Sequence, residues 1–141
     1  MYLYIKMMSI KILSLDHVAF NVADVERSLE FYAGKLGLGA ERVEEYRAGA
    51  VPFPSVRLSA ETILDFFPPA YHRAALGGRN VNHIALTLDC TAAEIQAFLA
   101  ERGIEIAREM TGNFAARGNN AHAFHIFDPD GNMLELHTYA G

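Results

Sequence analysis

The chain has a single cysteine, Cys90, so an internal disulfide is excluded and a reducing cytoplasm is the expected compartment. Basic residues are scarce. Lys and Arg total 12 against 17 Asp and Glu, the formal net charge is −5, and no Lys/Arg run exceeds two residues. That balance argues against nucleic acid or an anionic membrane surface as the main partner. No stretch approaches the ~18–20 apolar residues of a membrane span. The opening "MYLYIKMMSIKILSL" lacks a basic region ahead of its apolar part, is interrupted by Lys6 and Lys11, and is followed by no small-residue cleavage site. Residues 1–12 therefore read as an N-terminal extension, with Met7 and Met8 as alternative starts. Several chemical signatures are also missing. There is no G-x-S-x-G and no H-E-x-x-H, Cys90 has no partner motif, and "GLGAE" follows a helix instead of opening one.

What is present is an ordinary globular composition, 51% hydrophobic and 21% charged, in 141 residues. That length fits one domain or two small modules sharing a core. The chain also repeats itself. "LDHVAFNV", Leu15–Val22, matches "VNHIALTL", Val81–Leu88, position by position: apolar, Asp/Asn, His, β-branched, Ala, bulky apolar, small polar, apolar. Each segment runs into a helix. Asp24 caps the first, with Val25, Leu29, Tyr32 and Leu36 as its apolar face and Gly37 at its end. Thr91 and Glu94 form a capping box for the second, which buries Ile95, Phe98 and Leu99 and stops at Gly103. Strands are expected at 40–48, 51–60 and 62–67 in the first half, and at 104–110, 121–127 and 133–139 in the second. The organisation is thus α+β: a βαβββ module over 13–67, a Pro/Gly-rich linker over 68–80, and a second module over 81–139.

Side chains alternate faces along a strand. His17 lies opposite Val18, Phe20 and Val22; His83 lies opposite Ile84, Leu86 and Leu88; Glu135 lies opposite Leu134 and Leu136. All three polar residues therefore point away from the faces that pack on helices, where two pseudo-equivalent sheets can curl around one cavity. Glu135 sits amid the apolar strand "MLELH", and a buried charge needs compensation. Two neutral imidazoles and one carboxylate suit a single divalent first-row metal with positions left open for substrate or water. "ILDFF" aligns with "MLELH", so Asp65 matches Glu135. "DPDGN" is a turn; its glycine falls too early for a calcium loop.

"DHVAFNVADVERSLEFYAGKLGL", "NHIALTL" and "FDPDGNMLELH" together resemble the vicinal oxygen chelate superfamily, which includes glyoxalase I, fosfomycin-resistance enzymes, extradiol dioxygenases and bleomycin-resistance proteins. The resemblance covers residues 13–139. It implies two βαβββ modules in a cupped, barrel-like mixed sheet with helices outside, around one divalent ion (Zn, Mn, Ni, Co or Fe). The metal ligands it implies are His17, His83 and Glu135, with Asp65 at the fourth position. Asp65 is one carbon shorter than the glutamate found there in relatives.

Within the superfamily the implied activity is glyoxalase- or fosfomycin-resistance-like: isomerisation, epimerisation or nucleophile addition on a small substrate with vicinal oxygens. A metal-free, bleomycin-resistance-like binding protein and an Fe(II) extradiol dioxygenase are the alternatives. Ring cleavage is disfavoured because Ala116, Arg117 and Gly118 stand where a histidine is expected. His125 replaces a tyrosine common to the fosfomycin and dioxygenase branches, and no arginine follows Tyr139. If Phe127 lies opposite Met133, His125 faces Glu135 across a hairpin, where the pair would carry the proton transfer. Arg117, His137 and Phe124 are candidate substrate contacts; Arg108 shares with Arg117 the capacity to grip an anionic group, His72 and Arg79 are linker candidates for a lid, and Phe53, Phe66 and Phe67 are candidates for an apolar pocket wall. A small-molecule substrate and a homodimer are the expected partners, the cavity forming within one chain or across a swapped dimer.

Overall fold

The computed structural model describes residues 10–72, 80–127 and 131–141. The N-terminal extension, Arg79 and Asp128–Asp130 of the expected turn lie outside these. The elements, in order, are β1 (Ile12–Asn21), α1 (Val25–Leu29), a π-helical turn (Glu30–Lys35), β2 (Gly39–Glu41), α2 (Val43–Arg47), β3 (Ser55–Arg57) and β4 (Ile63–Phe67). After a 3-10 turn at Pro69–Tyr71 come β5 (Val81–Leu88), α3 (Ala92–Glu101), β6 (Arg108–Ala115), β7 (Gly118–Phe127) and β8 (Met133–Thr138). The eight strands form one mixed sheet in the order β2-β3-β4-β1-β5-β8-β7-β6. The strand-helix-three-strand pattern thus appears twice, the second time as β5, α3, β6, β7 and β8.

Contacts group the chain into two compact units, residues 17–84 and residues up to Asp16 together with 85–141; the divisions fall inside β1 and β5. In the first unit β1 runs parallel to β4, with Val18 beside Leu64 and Phe20 beside Phe66, while β2, β3 and β4 are antiparallel. Its core is Val25, Leu29, Val56, Leu64 and Phe66, against which Val18, Phe20 and Val22 pack. The alternation in β1 therefore faces its helix as the sequence requires. In the second unit β6, β7 and β8 form an antiparallel ladder. Its core joins Leu88 to Ala92, Ile95 and Leu99 of α3, and to Phe124, Ile126 and Leu136.

Local rules explain most boundaries. Asp24 accepts the Arg27 backbone N–H at 3.2 Å and opens α1. Thr91 and Glu94 exchange hydrogen bonds of 3.0 and 3.2 Å, the reciprocal cap expected for α3. Thr91→Ala should therefore lower unfolding free energy by about 1 kcal/mol, read as a shift in urea midpoint at unchanged slope.

The strand expected over 51–60 is only Ser55–Arg57, and the one expected over 104–110 starts at Arg108 and runs to Ala115. Two further expectations need correction. The strand expected over 40–48 is only Gly39–Glu41, because Val43–Arg47 turns helical. Val43 and Tyr46, three residues apart, both reach the first unit's core, and Arg47 pairs with Glu44 one turn back at 3.1 Å. The other is Leu36, assigned to the apolar face of the first helix but 56% exposed. The intervening π turn, closed by Leu36 N–H on the Phe31 carbonyl at 2.9 Å, adds a residue and rotates Leu36 off that face.

Candidate metal centre and its supports

In the first unit the two repeat histidines meet. His17 Nε2 and His83 Nε2 are 3.0 Å apart, both rings are buried, and they stand edge to face with centroids 5.1 Å apart. Asn82 Oδ1 accepts from His83 Nδ1 at 2.9 Å, while the Asn82 amide donates to Asn21 Oδ1 at 3.0 Å. The second bond orients the amide; the first places the imidazole proton on Nδ1 and turns the Nε2 lone pair of His83 toward His17. Phe67 closes one side, its ring 5.6 Å from that of His83, and Phe53 stacks on Phe67 at 4.6 Å. His72 is exposed, with Nε2 2.9 Å from the Phe67 carbonyl.

Asp65 lies beside them, buried on β4, with Oδ2 3.8 Å from His17 Nε2. Its Oδ1 accepts from Ser55 Oγ at 2.5 Å and lies 3.5 Å from the Arg42 guanidinium. Arg42 also donates to Ser55 and lies over Phe53, 5.5 Å from the ring centre. Its φ of 61° makes it the one described non-glycine residue in the left-handed region. Asp65 is therefore compensated by a cation of the chain itself.

The second unit carries Glu135. The hairpin register is as expected: Phe127 pairs with Met133 and His125 with Glu135. Glu135 is 2% exposed, and both its oxygens are engaged. Oε1 takes His125 Nε2 at 3.1 Å, and Oε2 takes His137 Nδ1 at 3.1 Å and the Asn113 amide at 3.4 Å. His137 faces a second carboxylate, with Nε2 2.9 Å from Asp16 Oδ2 and 3.0 Å from Thr87 Oγ1. Burial works against its charged form, but hydrogen bonds and charge from Asp16 and Glu135 outweigh burial and raise its pKa above the ordinary histidine value. Asp16 is fully buried; besides His137 it accepts from the Ala116 N–H at 2.9 Å, Tyr139 Oη at 2.5 Å and Thr87 Oγ1 at 3.1 Å. Burial, then the bond to Asp16, pushes the Tyr139 phenol well above its usual range.

The other sequence candidates fall as follows. His137 belongs to this buried network. Arg117 is exposed, its guanidinium over the Tyr139 ring at 5.1 Å and its backbone N–H donating to the phenol oxygen. Arg108 is exposed at the start of β6. Phe124 and Phe66 are fully buried in the two cores. Asn82, Asp16, Thr87 and Tyr139 received no role from sequence. For Asp16 and Asn82 the one signal was the position ahead of each repeat histidine; Asn82 meets its neighbour His83, whereas the partners of Asp16 are distant in sequence.

The donors fit a metal. His17, His83 and Glu135 are all buried and supply two imidazoles and one carboxylate, the set suited to one divalent cation. The model of the Glyoxalase/Bleomycin resistance protein/Dioxygenase superfamily matches residues 14–136. The chain belongs to that superfamily. Among solved structures, a member-like fold is seen in methylmalonyl-CoA epimerase from Mycobacterium tuberculosis, with TM-score 0.64 at 18% identity over 92% of this chain and 90% of that one. A variant methylmalonyl-CoA epimerase from Streptomyces coelicolor in complex with 2-nitronate-propionyl-CoA gives 0.61 at 18%, covering 94% and 97%. A hypothetical protein from Bacillus halodurans C-125 gives 0.62 at 19%, covering 89% and 93%. These identities speak for the fold the superfamily shares. No curated protein matches the sequence. Among the described residues no helix is long and apolar enough to cross a membrane.

Proposed function

We propose that this superfamily member is a divalent-metal-dependent enzyme that moves a proton next to a carbonyl in a small substrate with two neighbouring oxygens. Isomerisation and epimerisation are the favoured outcomes, with nucleophile addition the related alternative. The observation that carries the reading is the convergence of His17 Nε2 and His83 Nε2 at 3.0 Å with the His83 tautomer set by Asn82. Hydrogen bonding of the remote ring nitrogen is how metal-ligating histidines are commonly oriented. The cation supplies Lewis acidity toward the two substrate oxygens when bound.

The rest is done by the chain. Glu135 contributes charge compensation and lies in hydrogen-bond contact with His125 at 3.1 Å. His125 and the Glu135 carboxylate form the proton-handling pair, and the nearly buried ring protects it from bulk water. Phe67 and Phe53 give the imidazole pair an apolar neighbour suited to a substrate's hydrocarbon part. The similar epimerase structures favour proton transfer over oxygen-dependent ring cleavage.

The test is elemental analysis of protein purified without chelator, followed by solvent-deuterium incorporation into 2-hydroxy ketones and 2-substituted acyl thioesters. About one equivalent of metal and exchange abolished by chelation are expected. Failure to take up metal on reconstitution would instead favour a ligand-sequestering protein without chemistry. Within the proposal, Asn82→Ala should weaken metal binding roughly 10–100-fold without eliminating it, measured by competition with a chromogenic chelator.

A further inference from the structure

We infer that His137 and Asp16 are positioning residues that hold the Glu135 carboxylate in one orientation for the cation, an inference that rests on the metal reading above. Three buried side chains form a line within one unit. Asp16 Oδ2 meets His137 Nε2 at 2.9 Å, and His137 Nδ1 meets Glu135 Oε2 at 3.1 Å. Each end of the imidazole is thus fixed by a carboxylate, and the ring is fully enclosed.

The far carboxylate is itself anchored from separate parts of the chain. Ala116 donates from the β6–β7 connection, Tyr139 from beyond β8 and Thr87 from β5. Glutamate has enough rotatable bonds that a lone buried carboxylate could present either oxygen. Here Oε2 is held by His137 and Oε1 by His125, which leaves one orientation. A hydroxyl or amide could satisfy Oε2 alone. An imidazole between two buried carboxylates is a costly way to do so, because desolvating such groups offsets much of their attraction. The arrangement is accounted for if fixing Glu135 matters to what Glu135 does. Groups that orient a metal ligand typically contribute 10–100-fold in affinity.

The test is Co²⁺ titration of the full chain, following visible absorption and chelator competition, alongside urea unfolding of each variant. His137→Gln can still reach Asp16 but gives up the donor to Glu135, whereas His137→Asn keeps a donor near the Nδ1 position and gives up Asp16. The positioning role predicts that affinity follows the Glu135 contact and stability the Asp16 contact. H137Q should bind Co²⁺ about 10–100-fold more weakly, H137N should retain more affinity while losing more stability, and D16N should weaken binding through His137. A purely structural role would move stability alone. Folded H137Q and D16N that bind Co²⁺ within about twofold of wild type, while E135Q does not bind, overturn the inference and leave the metal reading standing. A wild-type protein that takes up no Co²⁺ overturns both. Should H137Q and D16N fail to fold, Tyr139→Phe removes a single hydroxyl from Asp16: a smaller weakening supports the inference, and unchanged affinity overturns it.

Discussion

Glu135→Gln is expected to yield a folded protein that takes up no divalent metal. The substitution keeps the volume of the side chain, so no cavity opens where the residue is 2% exposed. It does replace one acceptor with an NH2 group, and either His125 or His137 then faces a donor instead of an acceptor. Leaving one buried group unsatisfied costs about 1–3 kcal/mol, against roughly 5–15 kcal/mol for a whole domain. The fold should therefore survive, with a lowered unfolding midpoint. The metal should not remain, because the only anionic member of the proposed donor set has become neutral and a buried cation without charge compensation is strongly disfavoured. His83→Ala should have the same effect by a different route, since it removes an imidazole whose Nε2 meets His17. Both losses should exceed the ~10–100-fold expected for supporting partners such as Asn82. The check is metal stoichiometry after reconstitution, with circular dichroism to establish folding. Wild-type stoichiometry in either folded variant would end the assignment.

Why this trio was legible in sequence, and its surroundings were not, follows from the range of the forces involved. Strand alternation is a local property. It placed His17 and His83 opposite the apolar positions of β1 and β5, and those apolar side chains pack on the helices. The repeat then aligned one histidine with the other. The expected pairing of Phe127 with Met133 puts His125 across from Glu135, the register observed. Asn82 and Asp16 stood at matched repeat positions too, but their roles depend on partners the repeat does not specify. Asn82 turns to its neighbour His83, whereas Asp16 bonds to His137, 121 positions away by number (137 − 16). Leu36 was misplaced because a π turn changes helical phase without a composition signature. "VEEYR" is short enough to fit either period, and packing of Val43 and Tyr46 decides for helix.

Phe124→Ala is expected to lower unfolding free energy by about 3–5 kcal/mol, enough to bring the protein near its stability limit, while leaving metal affinity of the folded fraction unchanged. Phe124 is a candidate substrate contact in the sequence as one of four phenylalanines able to wall an apolar pocket. Adjacent strand residues point to opposite faces, and Phe124 is fully enclosed by Leu88, Ile95, Leu99, Ile126 and Leu136. Truncation therefore removes a ring from a packed interior between α3 and the β7–β8 ladder, and the surroundings can collapse only in part. Phe124→Leu keeps most of the volume and should lose far less stability. Urea unfolding of both variants, paired with Co²⁺ titration at low temperature, separates the two roles. A ring that contacted substrate would give nearly wild-type stability and altered ligand binding. A core ring gives the reverse, and the graded loss from Leu to Ala would show that the phenyl group supports the strand carrying His125 rather than a bound ligand.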